Sequence, residues 1–267
     1  MKPRTSSKSL SPKTIHLGLL ALCVISSAIS VHAAKTGKVV IRENVTASKR
    51  NELANRLRSI SGLANLGFDS DGVLILGEGS NGGSQGARAL LDQAVNGDKV
   101  IIIEDASARS DVAFCRVVPG RWLSDNDTRL PAFVVLIDFT DFRQILGDEK
   151  ARAAFDVGWG FLHELDHVVT DSIDSDEQGS LGECENHINA MRRELGLPLR
   201  ADYFFTESSL KTDPNFGTKL VRLPFELYNP RTTRKQRYWL IWDAASVGGL
   251  VAKHQTAAVR SAPDRRN

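Results

Sequence analysis

His163, Glu164, Leu165, Asp166 and His167 form an H-E-x-x-H run. Residues four apart on a helix are neighbours on one face, so His163 and His167 present two imidazoles to one ion. Glu164 is rotated about 100° from His163, close enough for its carboxylate to reach a water on that ion. Two imidazoles and a carboxylate suit Zn²⁺, with a fourth position left to water. The competing reading is an amphipathic helix with two histidines and a glutamate on its wet side. The surroundings favour the ion. Phe155, Gly158, Leu162, Leu165 and Val169 fall opposite His163, so the metal face has an apolar stripe across from it, and the helix should run to about Thr170.

A third protein ligand has to come from elsewhere. Glu185 is the first choice, 18 positions after His167, with Asn189 one turn on to hold its carboxylate or a ligating His in place. Ser180 to Leu195 reads as the helix that carries them, with Leu181, Cys184, Ile188, Met191 and Leu195 as its buried stripe and Gly196 and Pro198 ending it. Ser180 and Glu183 fit a capping box, which explains Glu183 without a metal. Glu183 stays an alternate ligand. So do Asp171 and Asp174, which reach the metal face if the first helix continues. Calcium on Asp171, Asp174 and Asp176 is disfavoured, because the D-x-D-x-D-G spacing is absent.

The elements that must position these residues are mixed. Lys38–Arg42, Gly72–Gly77, Lys99–Glu104 and Ala132–Phe139 read as strands; Ser48–Ile60 and Ala87–Val95 read as helices. The Gly/Ser/Asn-rich run 78–85 is a loop; no G-K-[ST] follows to make it a phosphate cradle. Asp105–Arg129 is polar and turn-rich around one apolar segment, Val112–Val118, and reads as an elaborated loop. Lys219–Leu227 and Gln236–Trp242 should pair as a C-terminal β-hairpin.

Residues 1–33 differ in kind from the rest. Lys2, Arg4, Lys8 and Lys13 precede an apolar run, Leu17–Val31, too short to span a bilayer comfortably, and Val31-His32-Ala33 offers a cleavage site. This reads as a secretory signal peptide, the alternative being an uncleaved anchor, and places the mature protein outside the cell or in the periplasm. Residues 34–256 would form one domain and 257–267 a disordered tail. The leader holds four cations and no acid, so its loss takes the net charge from +2 to −2. That leaves no basic excess for nucleic acid, and no other run is apolar enough to insert stably in a membrane. Export permits a disulfide between Cys115 and Cys184, though a buried free thiol fits Cys184 as well.

HELDH at 163–167, with GECENHINAMRRELGLPLR at 182–200, resembles the zincin metallopeptidase superfamily. The second run is similar to an N-x-x-R-x-E-L-G-L-P-x-R pattern of small bacterial zincin domains found in secreted and toxin-like proteins. The resemblance implies a zincin-like α+β fold: a small twisted, mostly-β sheet packed on the metal helix and a second, ligand-bearing helix. It makes His163 and His167 ligands and Glu164 the base that activates water against a peptide bond in a protein or peptide substrate. Arg200, Tyr203, Tyr228 and, less well placed on its helix, His187 are candidates to stabilise the oxyanion. In zincins a sheet edge beside the metal helix binds the substrate as an added strand, a part open to Ala132–Phe139. No third histidine follows in the metzincin position. The alternative is a zincin-like metal-binding module without turnover; an intact Glu164 favours catalysis, since a structural site needs no base.

Overall fold

The structure is a computed structural model describing residues 38–123, 129–209 and 219–248. The expected leader and tail lie outside them. The chain opens with β1 (Lys38–Ile41), α1 (Ala47–Ser61), the short strands β2 (Gly67–Phe68) and β3 (Leu74–Ile75), and α2 (Gln85–Asn96). Next come β4 (Val100–Asp105), β5 (Cys115–Leu123) and β6 (Arg129–Ile137). Three short elements, α3 (Phe139–Arg143), β7 (Leu146–Gly147) and α4 (Glu149–Ala153), lead to α5 (Val157–Thr170) and α6 (Gly182–Glu194). The last part is β8 (Leu199–Arg200), β9 (Thr206–Ser209), β10 (Lys219–Asn229) and β11 (Arg234–Asp243).

These elements make an α+β architecture with two main sheets where one small sheet was expected. The first has the order β1-β4-β6-β5. β1, β4 and β6 are parallel, and β5 runs antiparallel on the edge. In β4, Val100 through Ile103 are all buried, the continuous apolar run that a strand covered on both faces requires. β5 lies inside the segment expected to be a loop. Its Pro119 and Gly120 read as turn residues, yet proline is tolerated on an edge strand. β6, expected as the edge beside the metal helix, is internal; β5 takes the edge. The expected strand Gly72–Gly77 contracts to β3 and an isolated bridge, Val40 to Val73.

One face of this sheet carries the main core, built with α1, α2 and α5. α5 is buried nearly all round: Val157, Trp159, Phe161, Leu162, Leu165 and Val168 all pack inside, well beyond the expected single stripe. Fully burying side chains of this size contributes about 1.5–3 kcal/mol each. Gly158 sits where α5 meets α1; a Cβ there would lie 2.8 Å from Arg56 Cβ and 2.9 Å from Ile60 Cδ1. The second sheet is antiparallel, in the order β7-β11-β10-β8 with β9 also on β10. The expected hairpin, β10–β11, is its centre, and Phe225, Leu240 and Trp242 bury its inner face with Ala151 of α4 and Ala154 just after it.

α6 starts later than its capping box implied. Leu181 is the N-cap and makes no side-chain bond. The amides of Glu183 and Cys184 donate instead to the carbonyl of Ile173, at 3.0 and 3.3 Å. Backbone from the preceding loop thus does what Ser180 was expected to do.

Candidate metal centre

Asp156 caps α5, accepting from the amides of Gly158 at 2.9 Å and Trp159 at 3.2 Å. The helix then carries His163 and His167 one turn apart, with ring centroids 4.9 Å apart. It ends at Thr170, where Asp171 turns left-handed (φ 59°). The chain doubles back, and Asp174 pairs with Gly182 in an isolated antiparallel bridge. This return places the Asp174 carboxylate over both rings. Oδ1 lies 3.1 Å from His163 Nε2, and Oδ2 lies 3.2 Å from His167 Nε2.

Three donors therefore face a common point, and the Cys184 thiol is the fourth member of the group. Ligand atoms of His163, His167, Asp174 and Cys184 all lie within 4.8 Å of one another. Apart from its contact with His163, Asp174 Oδ1 is buried without a hydrogen-bond partner. A buried carboxylate oxygen is costly unless something electropositive, an imidazolium or a cation, satisfies it. The cluster could hold a metal ion, and the donor set fits one.

The charges tell the same story. Burial works against a charged His167, but Asp174 outweighs it and holds the imidazole up, to about 11. His163 is likewise raised, its burial overcome by Asp174 and by its other neighbours, Cys184 and Glu185. Asp174 is held well below the usual carboxylate range by the two imidazoles, despite its burial. Without a cation, protons fill the place that a cation would take.

Glu185 is set differently from its expected role. It is completely buried and paired with Arg192 Nη1 through Oε1 and with Arg200 Nη1 through Oε2 at 3.0 Å. These guanidiniums hold its carboxyl far below the usual range against the opposing effect of burial. It meets His163 at Nδ1, 3.4 Å away, on the opposite side of the ring from Asp174. Asn189 supports the arginines rather than a ligand: its Oδ1 accepts from Arg192 Nη1 and the Arg200 amide, both at 2.9 Å. Glu183 and Asp171 are exposed and outside the cluster. Cys115 and Cys184 are both free thiols. Cys184 donates to the His163 carbonyl at 3.3 Å and lies 3.4 Å from His163 Nδ1.

Glu164 is buried beside the cluster, and its Oε2 accepts from the Val117 amide of β5 at 2.8 Å. Among the described residues β5 is the outer strand of its sheet, and this bond joins it to Glu164. Burial pushes the Glu164 carboxyl up, partly offset by His163 and His167. His163 and Glu164 also line a cavity of about 150 Å³ whose other walls include Phe114, Phe155, Leu223 and Trp242.

Of the oxyanion candidates, Arg200 and Tyr203 line this cavity. Tyr203 stacks on His163 (6.3 Å between ring centroids, 20° between planes) and donates to Asp174 Oδ2 at 2.5 Å. Tyr228 is exposed on β10, and His187 turns to Asp166 instead. From sequence alone Asp174 ranks below Glu185, and Cys184 belongs to the buried stripe of α6. No local signal singles out Ser172, which lies against His167, or Asp166, which bonds Ser172.

Comparison with known proteins supplies no relative: no family model matches the chain, and neither a curated protein nor a solved structure does.

Proposed function

We propose that the chain is an exported zinc metallopeptidase of the zincin type. The observation that carries this reading is the convergence of His163 Nε2, His167 Nε2 and the Asp174 carboxylate beside the buried carboxylate of Glu164. In this reading Asp174, rather than the expected Glu185, is the third ligand. When bound, Zn²⁺ supplies Lewis acidity to the substrate carbonyl and makes water a better acid. Glu164 takes the proton from the attacking water and returns it to the leaving amine. Its raised pKa brings it closer to the range where one group can do both. The Val117 amide anchors Oε2 and leaves Oε1 for that exchange. Tyr203, whose hydroxyl reaches Asp174, is the best placed side chain to steady the tetrahedral oxyanion. The β5 edge, in place of β6, is suited to hold the peptide as an added strand, and the aromatic cavity to seat one of its apolar side chains.

Glu164→Gln should keep the metal and lower peptide hydrolysis by about 10²–10⁴-fold. Undiminished cleavage would remove Glu164 from the chemistry. One observation favours a second reading, a metal-binding module without turnover: Cys184 completes a set of four protein donors, and a closed four-donor site is the mark of a structural metal. A thiolate charge-transfer band in the Co²⁺-substituted protein would favour that reading; its absence would favour the open site.

A further inference from the structure

The HELDH run contains a carboxylate that the proposed chemistry does not use. Asp166 is 2% exposed, and removing a carboxylate from water costs several kcal/mol unless it is well partnered. Both of its side-chain partners meet Oδ2. Ser172 Oγ donates to it at 2.6 Å, and His187 Nδ1 lies 2.9 Å away. Ser172 has a second contact. Its carbonyl lies 2.8 Å from His167 Nδ1.

A carbonyl oxygen only accepts, so the proton in this contact belongs to His167 Nδ1. That leaves Nε2 as the nitrogen free for a cation, on the side where Asp174 lies. Ser172 also stands between the left-handed turn at Asp171 and Asp174 itself. Holding it fixes the ring of one donor and the loop that returns the next.

We propose that Asp166 is a positioning residue for the metal centre: through Ser172 it fixes the His167 ring with Nε2 inward and sets the path of the loop that carries Asp174. His187 closes the arrangement from α6. The inference rests on the metal reading above, but not on peptide hydrolysis.

The test is zinc affinity, measured by chelator competition on the full mature protein. Asp166→Asn and Ser172→Ala should each weaken binding about 10–100-fold, the range typical of a lost outer partner. The double variant should be no worse than the weaker-binding single, because both break one link. His187→Gln should have a smaller effect. Ser172→Ala removes a single hydroxyl and keeps the question open to measurement if Asp166→Asn does not fold, which thermal unfolding of the metal-free forms would reveal. A purely structural tie between α5 and α6 predicts the reverse: His187→Gln would match Asp166→Asn, and Ser172→Ala would be silent. That pattern, or zinc affinity within about twofold of wild type in both Asp166→Asn and Ser172→Ala, overturns the proposal. A wild type that binds no zinc overturns it together with the metal reading; a wild type that binds zinc without cleaving peptides leaves only the peptidase reading to fail.

Discussion

Asp174 and Gly182 face each other across an isolated antiparallel bridge, and this pairing delivers the Asp174 carboxylate to the two imidazoles. Gly182 is the residue that permits it. Its φ is +75°, and a Cβ would lie 2.4 Å from Ser175 N and 2.7 Å from the Asp174 carbonyl carbon. Gly182→Ala should therefore push the loop away and weaken zinc binding by at least about 10-fold, while the α5 core stays folded. Zinc titration beside a circular dichroism spectrum checks both parts. Unchanged affinity would mean that the loop holds Asp174 without this bridge.

Asp174 and Glu185 should separate cleanly in a paired experiment. Asp174→Ala should lose stoichiometric zinc by elemental analysis and keep most of its stability, since Asp174 is partly exposed. Glu185→Gln should do the opposite. It leaves Arg192 buried without its anion, which typically costs about 3–5 kcal/mol in urea unfolding of the metal-free protein. Its zinc should be retained under conditions where it folds. Zinc lost from Glu185→Gln at unchanged stability would return the ligand role to Glu185.

The α5 helix was legible because its signal is local: two imidazoles four apart and an apolar flank. α6 and the β10–β11 hairpin were legible for the same reason, through periodicity and a turn of fixed composition. What the sequence hid depends on chain reversal. Extrapolating a helix past Thr170 brings Asp174 near the metal face by angle alone; the actual route is a left-handed turn and a bridge to a glycine eight residues later. Nothing local distinguishes a Glu185 that binds a metal from one that neutralises two arginines. The capping box failed because Gly182 turns left-handed just where Ser180 would have begun the helix. β5 was missed because Pro119 and Gly120 weigh against a strand everywhere except on an edge.

Asp141 links the start of β5 to acid stability. Phe114, whose ring lines the cavity, sits at φ 60° and donates its amide to Asp141 Oδ2 at 2.9 Å. Burial pushes the Asp141 carboxyl up to about 6, although the bond from Phe114 pulls the other way. A raised carboxyl means that the fold prefers the neutral form. Asp141 should thus cost stability progressively as pH rises from the ordinary value of 3.8 to about 6, and no more above that. Asp141→Asn cannot titrate. Its urea midpoint should gain on wild type across that interval and hold a constant difference above it. A difference independent of pH would show that Asp141 does not titrate there.

Protons and zinc should compete for the same place. Without a cation, Asp174 holds His167 up to about 11, against burial, and is itself held down by the two imidazoles. A raised imidazole stabilises the fold fully below its ordinary 6.5 and loses that contribution as pH climbs towards 11. A depressed carboxylate stabilises it above the ordinary 3.8 and loses that contribution as pH falls through its lowered value. The metal-free pair is therefore worth most between those ordinary values and progressively less on the alkaline side. Zinc requires neutral imidazoles, so loading at pH 7 must expel protons. Calorimetry in buffers of different ionisation enthalpy should show net proton release, and apparent affinity should rise steadily from pH 5 to about 8. Affinity that is flat over that range, with no proton released, would show that His163 and His167 are not the ligands.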